Sequence, residues 1–517
     1  MGFLDDNDFT NVPNIPEFYK GKTILITGGS GFMGKVLIEK LLYSCTDLDR
    51  IYLLLRTKKG TKSEDRLAAL YSSQCFDRLK KEKPEVFDSK VFVVAGDMME
   101  LGLGISDEDR ALLVNRVNVI FHVAASVRFD DSLKFAATLN LRGTREVIEL
   151  AKSVMDLNAF VHISTSYSNT DKNPIEEIMY SPHANWRDVI DICDNVNEET
   201  LKILTPKYLG KIPNTYTFTK QLAETVVYEQ KSALPVIMIR PSIVISSVEE
   251  PLVGWVENFN GPVGILVASG KGIMRSVYSD PDLVADYIPV DSAIRNMIAA
   301  GWIRGTIKHK PTDEMVIFNC CAGSLNTMTM GEIVEVGLRI ASDSPVQGTL
   351  WYPGGSITKS KTYHYIRVLL FHVLPALLVD AILFLIGRKP MLTKIQRKIY
   401  IANMALGYYI TRQWTFINHN FVKLREIIKQ SGVKDFNYYI EDVDKYQYFK
   451  NSADGCRWYL LKEKEEDLPK AKAHYRRYSL FSFFMTYFWI CQHLNLNLCV
   501  KIIDYLQYLH TVFERNT

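Results

Sequence analysis

From residue 22 onward, short runs of continuous apolar, β-rich sequence alternate with longer stretches whose apolar residues recur every three to four positions. KTILITG (22–28), RIYLLLR (50–56), KVFVVAG (90–96), VNVIFHVAA (117–125), AFVHIST (159–165) and LPVIMIRP (234–241) read as strands. Residues 32–42, 132–153 and 215–231 read as helices between them. Strands without polar alternation need cover on both faces, which helical crossovers supply, so the pattern predicts an α/β protein with a doubly wound parallel sheet. After residue 241 the pattern changes. Residues 246–280 are glycine-containing and loop-like, Asp291 reads as an N-cap opening a helix, and VIFNCCAG (316–323) ends a buried strand. A turn-rich linker at 345–362 leads into a helical remainder rich in Tyr, Phe, Leu and Lys. Four parts are expected: 1–245, an α+β portion 246–350, a mainly helical domain 351–465, and a charged linker with a hydrophobic tail, 466–517.

Two late segments are apolar enough to touch a bilayer. Residues 368–387 are interrupted by His372, Pro375 and Asp380, and residues 479–491 give way to QHLNLNL. A clean span needs about 20 apolar residues, so neither reads as a clear span: the first reads as a buried core helix or a membrane contact, the second as a membrane contact. Arg476 and Arg477 before the second favour a catalytic side facing the cytosol.

Composition narrows the picture. The 517 residues carry 61 Lys and Arg against 58 Asp and Glu, a net charge of +3, which argues against nucleic-acid binding through phosphate contacts. Eight scattered cysteines, without CxxC or HExxH, give a metal site no support. No signal peptide is expected at the acidic N-terminus, so thiols are expected reduced.

The strongest chemical signal is TGGSGFMG (27–34), set between the first strand and the first helix. Gly28 permits the tight turn, Gly31 lets a pyrophosphate approach the backbone, and Gly34 allows close helix packing. This marks a Rossmann-like nucleotide site. Arg56 closes the second strand where an acid would hold an NAD ribose; with Lys58 and Lys59 it favours a 2′-phosphate, hence NADPH. Tyr216 and Lys220 are four residues apart on one helix face, and a neighbouring ammonium is expected to lower the tyrosine pKa. Tyr446 and Lys450 share that spacing but lie far from the glycine turn. Ser164, Thr165 and Ser166 end the fifth strand, where a hydroxyl can polarise a carbonyl or merely cap the strand. Asp97 reads as an adenine acceptor or a turn former. His122 and His162 read as satisfied core residues, and Cys320 and Cys321 have no identifiable base beside them.

Together these motifs resemble the extended short-chain dehydrogenase/reductase family. KVLIEKLL, LLLRTKKG, HVAASVRFDDSL, HISTSYSNTD, PNTYTFTKQLAE, IRPSIV and GWVENFNGPVG narrow the resemblance to eukaryotic fatty acyl-CoA reductases, over roughly residues 15–465. The resemblance implies NADPH-dependent, four-electron reduction of long-chain acyl-CoA to a primary alcohol, at a membrane, the endoplasmic reticulum before the peroxisome. It implies Tyr216 as proton donor, Lys220 as ribose ligand and Thr165 as the strand-end hydroxyl, ahead of Ser166. Thr27, Gly28, Ser30, Gly31, Phe32, Met33, Gly34, Arg56, Asp97, Ala124, Lys220 and Pro241 fall on its cofactor positions. A sterol or aldehyde-releasing reductase and a non-enzymatic NADP-binding scaffold remain alternatives.

Overall fold

The computed structural model describes residues 4, 9, 12–56, 63–259, 261–307, 314–438 and 440–493. The expectations for Lys58, Lys59 and the tail beyond residue 493 fall outside them. Seven strands make one sheet: β1 (Thr23–Thr27), β2 (Arg50–Leu55), β3 (Val91–Ala95), β4 (Val117–His122), β5 (Ala159–Ile163), β6 (Val236–Pro241) and β7 (Ile317–Cys320). Their order is β7-β6-β5-β4-β1-β2-β3, and every pairing is parallel. The order reverses between β1 and β4, which opens a crevice at the carboxyl ends of those strands, where open α/β sheets bind ligands.

The pleat sends alternate side chains to two helical layers. Ile24 and Ile26 join the core of α1 (Phe32–Ser44) and α4 (Val290–Thr306), whereas Leu25 joins α2 (Gly143–Ser153) and α3 (Thr215–Tyr228) on the other face. The segment 246–350 thus contributes both α4 and the edge strand β7 to the layered sheet. The doubly wound architecture is as the hydrophobic pattern requires.

Three local expectations fail for physical reasons. The ladder of β4 stops at His122 rather than residue 125, because Val123 and Ala124 turn across the loop after β1 and pack against Gly28. Asp291 does not cap its own helix, whose N-cap is Pro289. Its carboxylate instead accepts the amides of Val248, Glu249 and Glu250, fixing the loop after β6. The loop-like 246–280 region holds a helix, Pro262–Gly270.

Beyond residue 360 the described chain is mostly helical: α5 (Lys361–Leu385), α6 (Leu392–Ile410), α7 (His419–Gln430), α8 (Lys445–Gly455) and α9 (Leu468–His493). The charged run expected as a linker is helical from Leu468. Among the described residues, α5 alone is long and apolar enough to cross a membrane.

Candidate active site

The turn between β1 and α1 sits at the crevice. Gly28 adopts φ +76°, and a Cβ there would lie 2.7 Å from the Ala124 nitrogen, so only glycine fits. A Cβ on Gly34 would stand 2.3 Å from the Gly28 carbonyl oxygen, which lets the first turn of α1 rest directly on the loop. Gly31 is the N-cap of α1 and no side chain caps the helix. Ser30 and Gly31 are exposed, while Phe32 and Met33 are half-buried beside them. A helix start with uncapped amides, reached over glycine, suits the pyrophosphate of a dinucleotide.

Thr27 ends β1 fully buried, and its hydroxyl meets His122 Nδ1 at 2.7 Å. The tautomer follows from the next partner. The Thr144 hydroxyl donates to the Asn140 carbonyl (2.6 Å), so His122 Nε2 must donate to Thr144 Oγ1 (2.9 Å) and Nδ1 must accept from Thr27. His122 is therefore the satisfied core residue expected. His162 is not: it is fully buried 5.2 Å from the His122 ring, and neither ring nitrogen has a partner among the described residues. Burial, with Lys220 and His122 nearby, holds it well below the ordinary histidine range and hence neutral.

Helix α3 begins beside this crevice, with Asn214 capping the Thr217 amide at 2.9 Å. Tyr216 and Lys220 stand one turn apart. Lys220 is buried and its Nζ donates to the Ile163 carbonyl at 2.5 Å, tying α3 to the end of β5. Tyr216 shares a hydrogen bond with Thr165 and packs against Phe129, ring centroids 5.8 Å apart. Burial pushes the Tyr216 phenol up to about 12, against the smaller effect of the Thr165 hydroxyl. Burial also lowers the Lys220 ammonium to about 8, with Glu224 opposing. The expected lowering of the tyrosine pKa is thus overturned: the ammonium is engaged at the Ile163 carbonyl and desolvation prevails.

The three strand-end hydroxyls differ in their commitments. Ser164 donates to Glu224 (2.5 Å) and Ser166 to the Arg240 carbonyl (2.6 Å), whereas Thr165, besides its bond with Tyr216, has a long 3.5 Å contact to the Pro241 carbonyl and the Tyr167 amide as donor. Glu224 and Arg240 form a buried two-pronged pair at 2.9 and 2.8 Å that locks α3 to β6. Ser164 and Ser166 are framework, and Thr165 is left to face Tyr216.

The remaining candidates line the crevice less tightly. Arg56 is exposed at the end of β2, its carbonyl held by Arg66. Asp97 Oδ1 accepts the Met99 amide at 3.0 Å, bracing a turn. Cys320 and Cys321 are buried, with thiols pushed up by desolvation. Tyr446 donates to Asp343 and Lys450 pairs with Asp454, so this second Tyr–Lys pair is committed elsewhere. Among the described residues no His, Cys, Asp or Glu group is arranged for a metal.

Two residues were not singled out by the sequence. Asn140 bonds Thr219 Oγ1 (3.1 Å) and both backbone groups of Ser126, bracing α3 one residue from Lys220. A lone amide inside FAATLNL was its only signal. Tyr409, from the end of α6, packs tilted against Phe129 with ring centroids 5.1 Å apart and accepts from Asn214 Nδ2 at 2.8 Å. Nothing local in the sequence points to it.

A glycine turn at the strand-order reversal, followed by a Tyr–Lys helix against a strand-end threonine, defines a short-chain reductase with a nicotinamide dinucleotide site. Two family models described as male sterility protein match, one NAD-binding over residues 26–297 and one over residues 371–463. The chain is 36% identical over 461 residues to fatty acyl-CoA reductase 1 of Xenopus laevis, covering 89% of each chain. It is also 36% identical over 460 residues to fatty acyl-CoA reductase wat of Drosophila melanogaster, covering 89% of this chain and 88% of that one. In fold it is similar to the reductase domain of a nonribosomal peptide synthetase from Mycobacterium tuberculosis, with TM-score 0.58, 19% identity, and coverage of 89% of this chain and 97% of that one. The chain belongs to the fatty acyl-CoA reductase family and is an oxidoreductase.

Proposed function

We propose that the protein reduces long-chain fatty acyl-CoA to a primary alcohol and CoA, consuming two NADPH and two protons per turnover. The observation that carries this reading is the convergence of Tyr216, Thr165 and Lys220 beside the glycine turn, with Tyr409 of the C-terminal helices packed on Phe129, the ring that packs on Tyr216. The residues present fit the cofactor: Thr27, Gly28, Ser30, Gly31, Phe32, Met33 and Gly34 would hold the pyrophosphate at the uncapped start of α1, Ala124 and Pro241 would border the nicotinamide end, and the exposed Arg56 would read a 2′-phosphate. Asp97, whose Oδ1 holds the Met99 amide, would have Oδ2 left to accept from an adenine amino group. When bound, NADPH supplies the hydride for each two-electron step.

The chain's own residues manage the oxygen and its proton. Thr165 and Tyr216 hydroxyls hydrogen-bond the thioester carbonyl oxygen and stabilise the charge that develops as the carbon becomes tetrahedral. A phenol held near 12 stays protonated at neutral pH, so Tyr216 is a donor rather than a base. Lys220 holds the nicotinamide ribose and fixes α3 at β5. The hemithioacetal loses CoA to give an aldehyde, whose reduction repeats the geometry with Tyr216 donating the proton to the alkoxide. In this reading residues 1–245 carry the cofactor and Tyr–Lys pair, 246–350 the substrate portion, 351–465 the helical cover and 466–517 the membrane-proximal tail, with the catalytic side facing the cytosol at the endoplasmic reticulum.

The test is NADPH oxidation with palmitoyl-CoA and extraction of the lipid products. Two NADPH consumed per fatty alcohol supports the proposal. One NADPH per aldehyde changes the product, and no oxidation at any chain length, with NADPH bound, overturns it.

A further inference from the structure

Helices α5 and α6 form a hairpin whose outer face has nothing against it among the described residues. Along α5 the fully buried positions form a narrow stripe, His364, His372, Ala376 and Asp380, flanked by the half-buried Arg367, Val368, Pro375 and Leu383. Most of what remains from Leu369 to Leu385 is exposed and apolar, with Leu378 at 58%, Phe384 at 72% and Leu385 at 81% of full exposure, and Ile401 and Met404 continue the surface onto α6. A soluble protein does not leave such a surface to water.

Charge identifies what covers it. Residues 361–412 carry eight Lys and Arg and one acid, Asp380. That acid is buried, accepting the amides of Met391, Leu392 and Thr393 at 2.9 Å to cap α6. Five of the cations, Arg388, Lys389, Lys394, Arg397 and Lys398, are exposed around the hairpin tip. A second copy of this chain would bring the same positive charge, whereas an anionic bilayer offers both an apolar interior and a negative surface.

Attachment along its length determines how the hairpin lies. His364 Nδ1 meets Ser276 Oγ at 3.0 Å and His372 Nε2 accepts the Arg275 amide at 2.9 Å, so two turns of α5 are fastened side-on to the body. Gln396 of α6 donates to the Ile273 carbonyl, and its far end reaches Asn214 through Tyr409. A helix fastened side-on presents a face, not an end, to the membrane. Crossing would also take the tip cations through hydrocarbon.

Between the two helices and the body lies a cavity of about 540 Å³, inside the usual range of roughly 300–1,000 Å³ for small-molecule sites. Its lining includes Val368, Ala376, Ile399, Met404 and Gly407. Tyr365, Tyr400 and Met404 line it and are also exposed on the apolar face, which places its mouth there. Its inner end reaches Tyr408, next to the Tyr409 that packs on Phe129, which in turn packs on Tyr216.

We propose that the α5–α6 hairpin seats in one leaflet of an anionic bilayer without crossing it, and that the cavity it roofs is the port through which acyl chains pass between leaflet and active site. The port, though not the seating, rests on the function proposed above.

Full-length protein in sealed phosphatidylcholine/phosphatidylserine vesicles, catalytic side out, tests both parts. An impermeant amine reagent added outside should modify Lys389 as fully as in detergent, read by peptide mass spectrometry; protection of Lys389 would show a crossing helix and overturn the seating. Benzoylphenylalanine in place of Leu378 should photocrosslink to lipid, and absence of a lipid adduct overturns it equally. A diazirine-bearing palmitoyl-CoA should label the peptide containing residues 399–408, and labelling confined to other peptides overturns the port. Because the first two readouts need no turnover, they stand or fall separately from the acyl-CoA reading.

Discussion

Replacing Tyr216 with Phe removes one oxygen from a phenol that burial holds protonated and that Thr165 orients. Turnover should fall by about 10²–10⁴-fold, the range for a lost positioned proton donor, while NADPH affinity, measured by fluorescence titration, stays unchanged. Loss of binding would mean that the ring rather than the proton is what matters. Arg56→Ala should raise the KM for NADPH far more than that for acyl-CoA, and an equal effect on both would remove its assignment to the 2′-phosphate. Lys220 connects chemistry with stability. Its folded pKa of about 8 lies below the ordinary 10.5, so the unfolded chain binds the proton more tightly. Below pH 8 the cost of burying the ammonium is fully present. Between about 8 and 10.5 it is relieved, and stability rises with pH across that window. The shift corresponds to about 3 kcal/mol, offset by about 1 kcal/mol for the lost bond to Ile163. Lys220→Met should therefore abolish turnover yet stabilise the protein at pH 7 by about 2 kcal/mol in urea unfolding, an advantage that vanishes above about pH 10.

At the level of elements, the loop between β1 and α1 is stiff because backbone meets backbone. A methyl on Gly34 would collide with the Gly28 carbonyl and Gly29 Cα, neither of which is the end of a flexible side chain. Gly34→Ala should push α1 off the loop, cost about 1–3 kcal/mol and raise the KM for NADPH more than tenfold, with the loss of NADPH affinity confirmed by calorimetry. Elements of this kind were legible because their signals are local. The strands were read as continuous apolar runs, the glycine turn by its spacing between strand and helix, and the Tyr216–Lys220 pair by one helical turn. What the pattern misjudged was decided by long-range contact. The end of β4 is set by Ala124 meeting Gly28, and Asp291 looks like a cap for its own helix until the 248–250 amides are folded onto it. The pKa of Tyr216 was misread for the same reason: four-residue spacing puts Lys220 on the same face, but only the fold shows its amine turned to the Ile163 carbonyl.

At the scale of the whole molecule, one junction between the C-terminal helices and the reductase body lies beside the active site, and no local pattern discloses it because Asn214 and Tyr409 lie 195 residues apart. Tyr409, at the end of the membrane-facing hairpin, both receives the Asn214 amide and walls the space beside Phe129 and Tyr216. Two substitutions separate these roles. Tyr409→Phe keeps the ring and loses one hydrogen bond; Asn214 still caps Thr217 through Oδ1, so the cost should be about 1 kcal/mol with little change in turnover. Tyr409→Ala removes the ring from Phe129 and Tyr167, centroids 5.1 and 5.4 Å away, and should cost about 3–5 kcal/mol if the space stays open. It should raise the KM for palmitoyl-CoA well above that of Tyr409→Phe and leave NADPH affinity intact, because the glycine turn lies on the other side of β4. If Tyr409→Ala keeps the wild-type KM and turnover for palmitoyl-CoA in a folded protein, the aromatic contact is only a strut, and the acyl chain must approach Tyr216 by a path that avoids the hairpin.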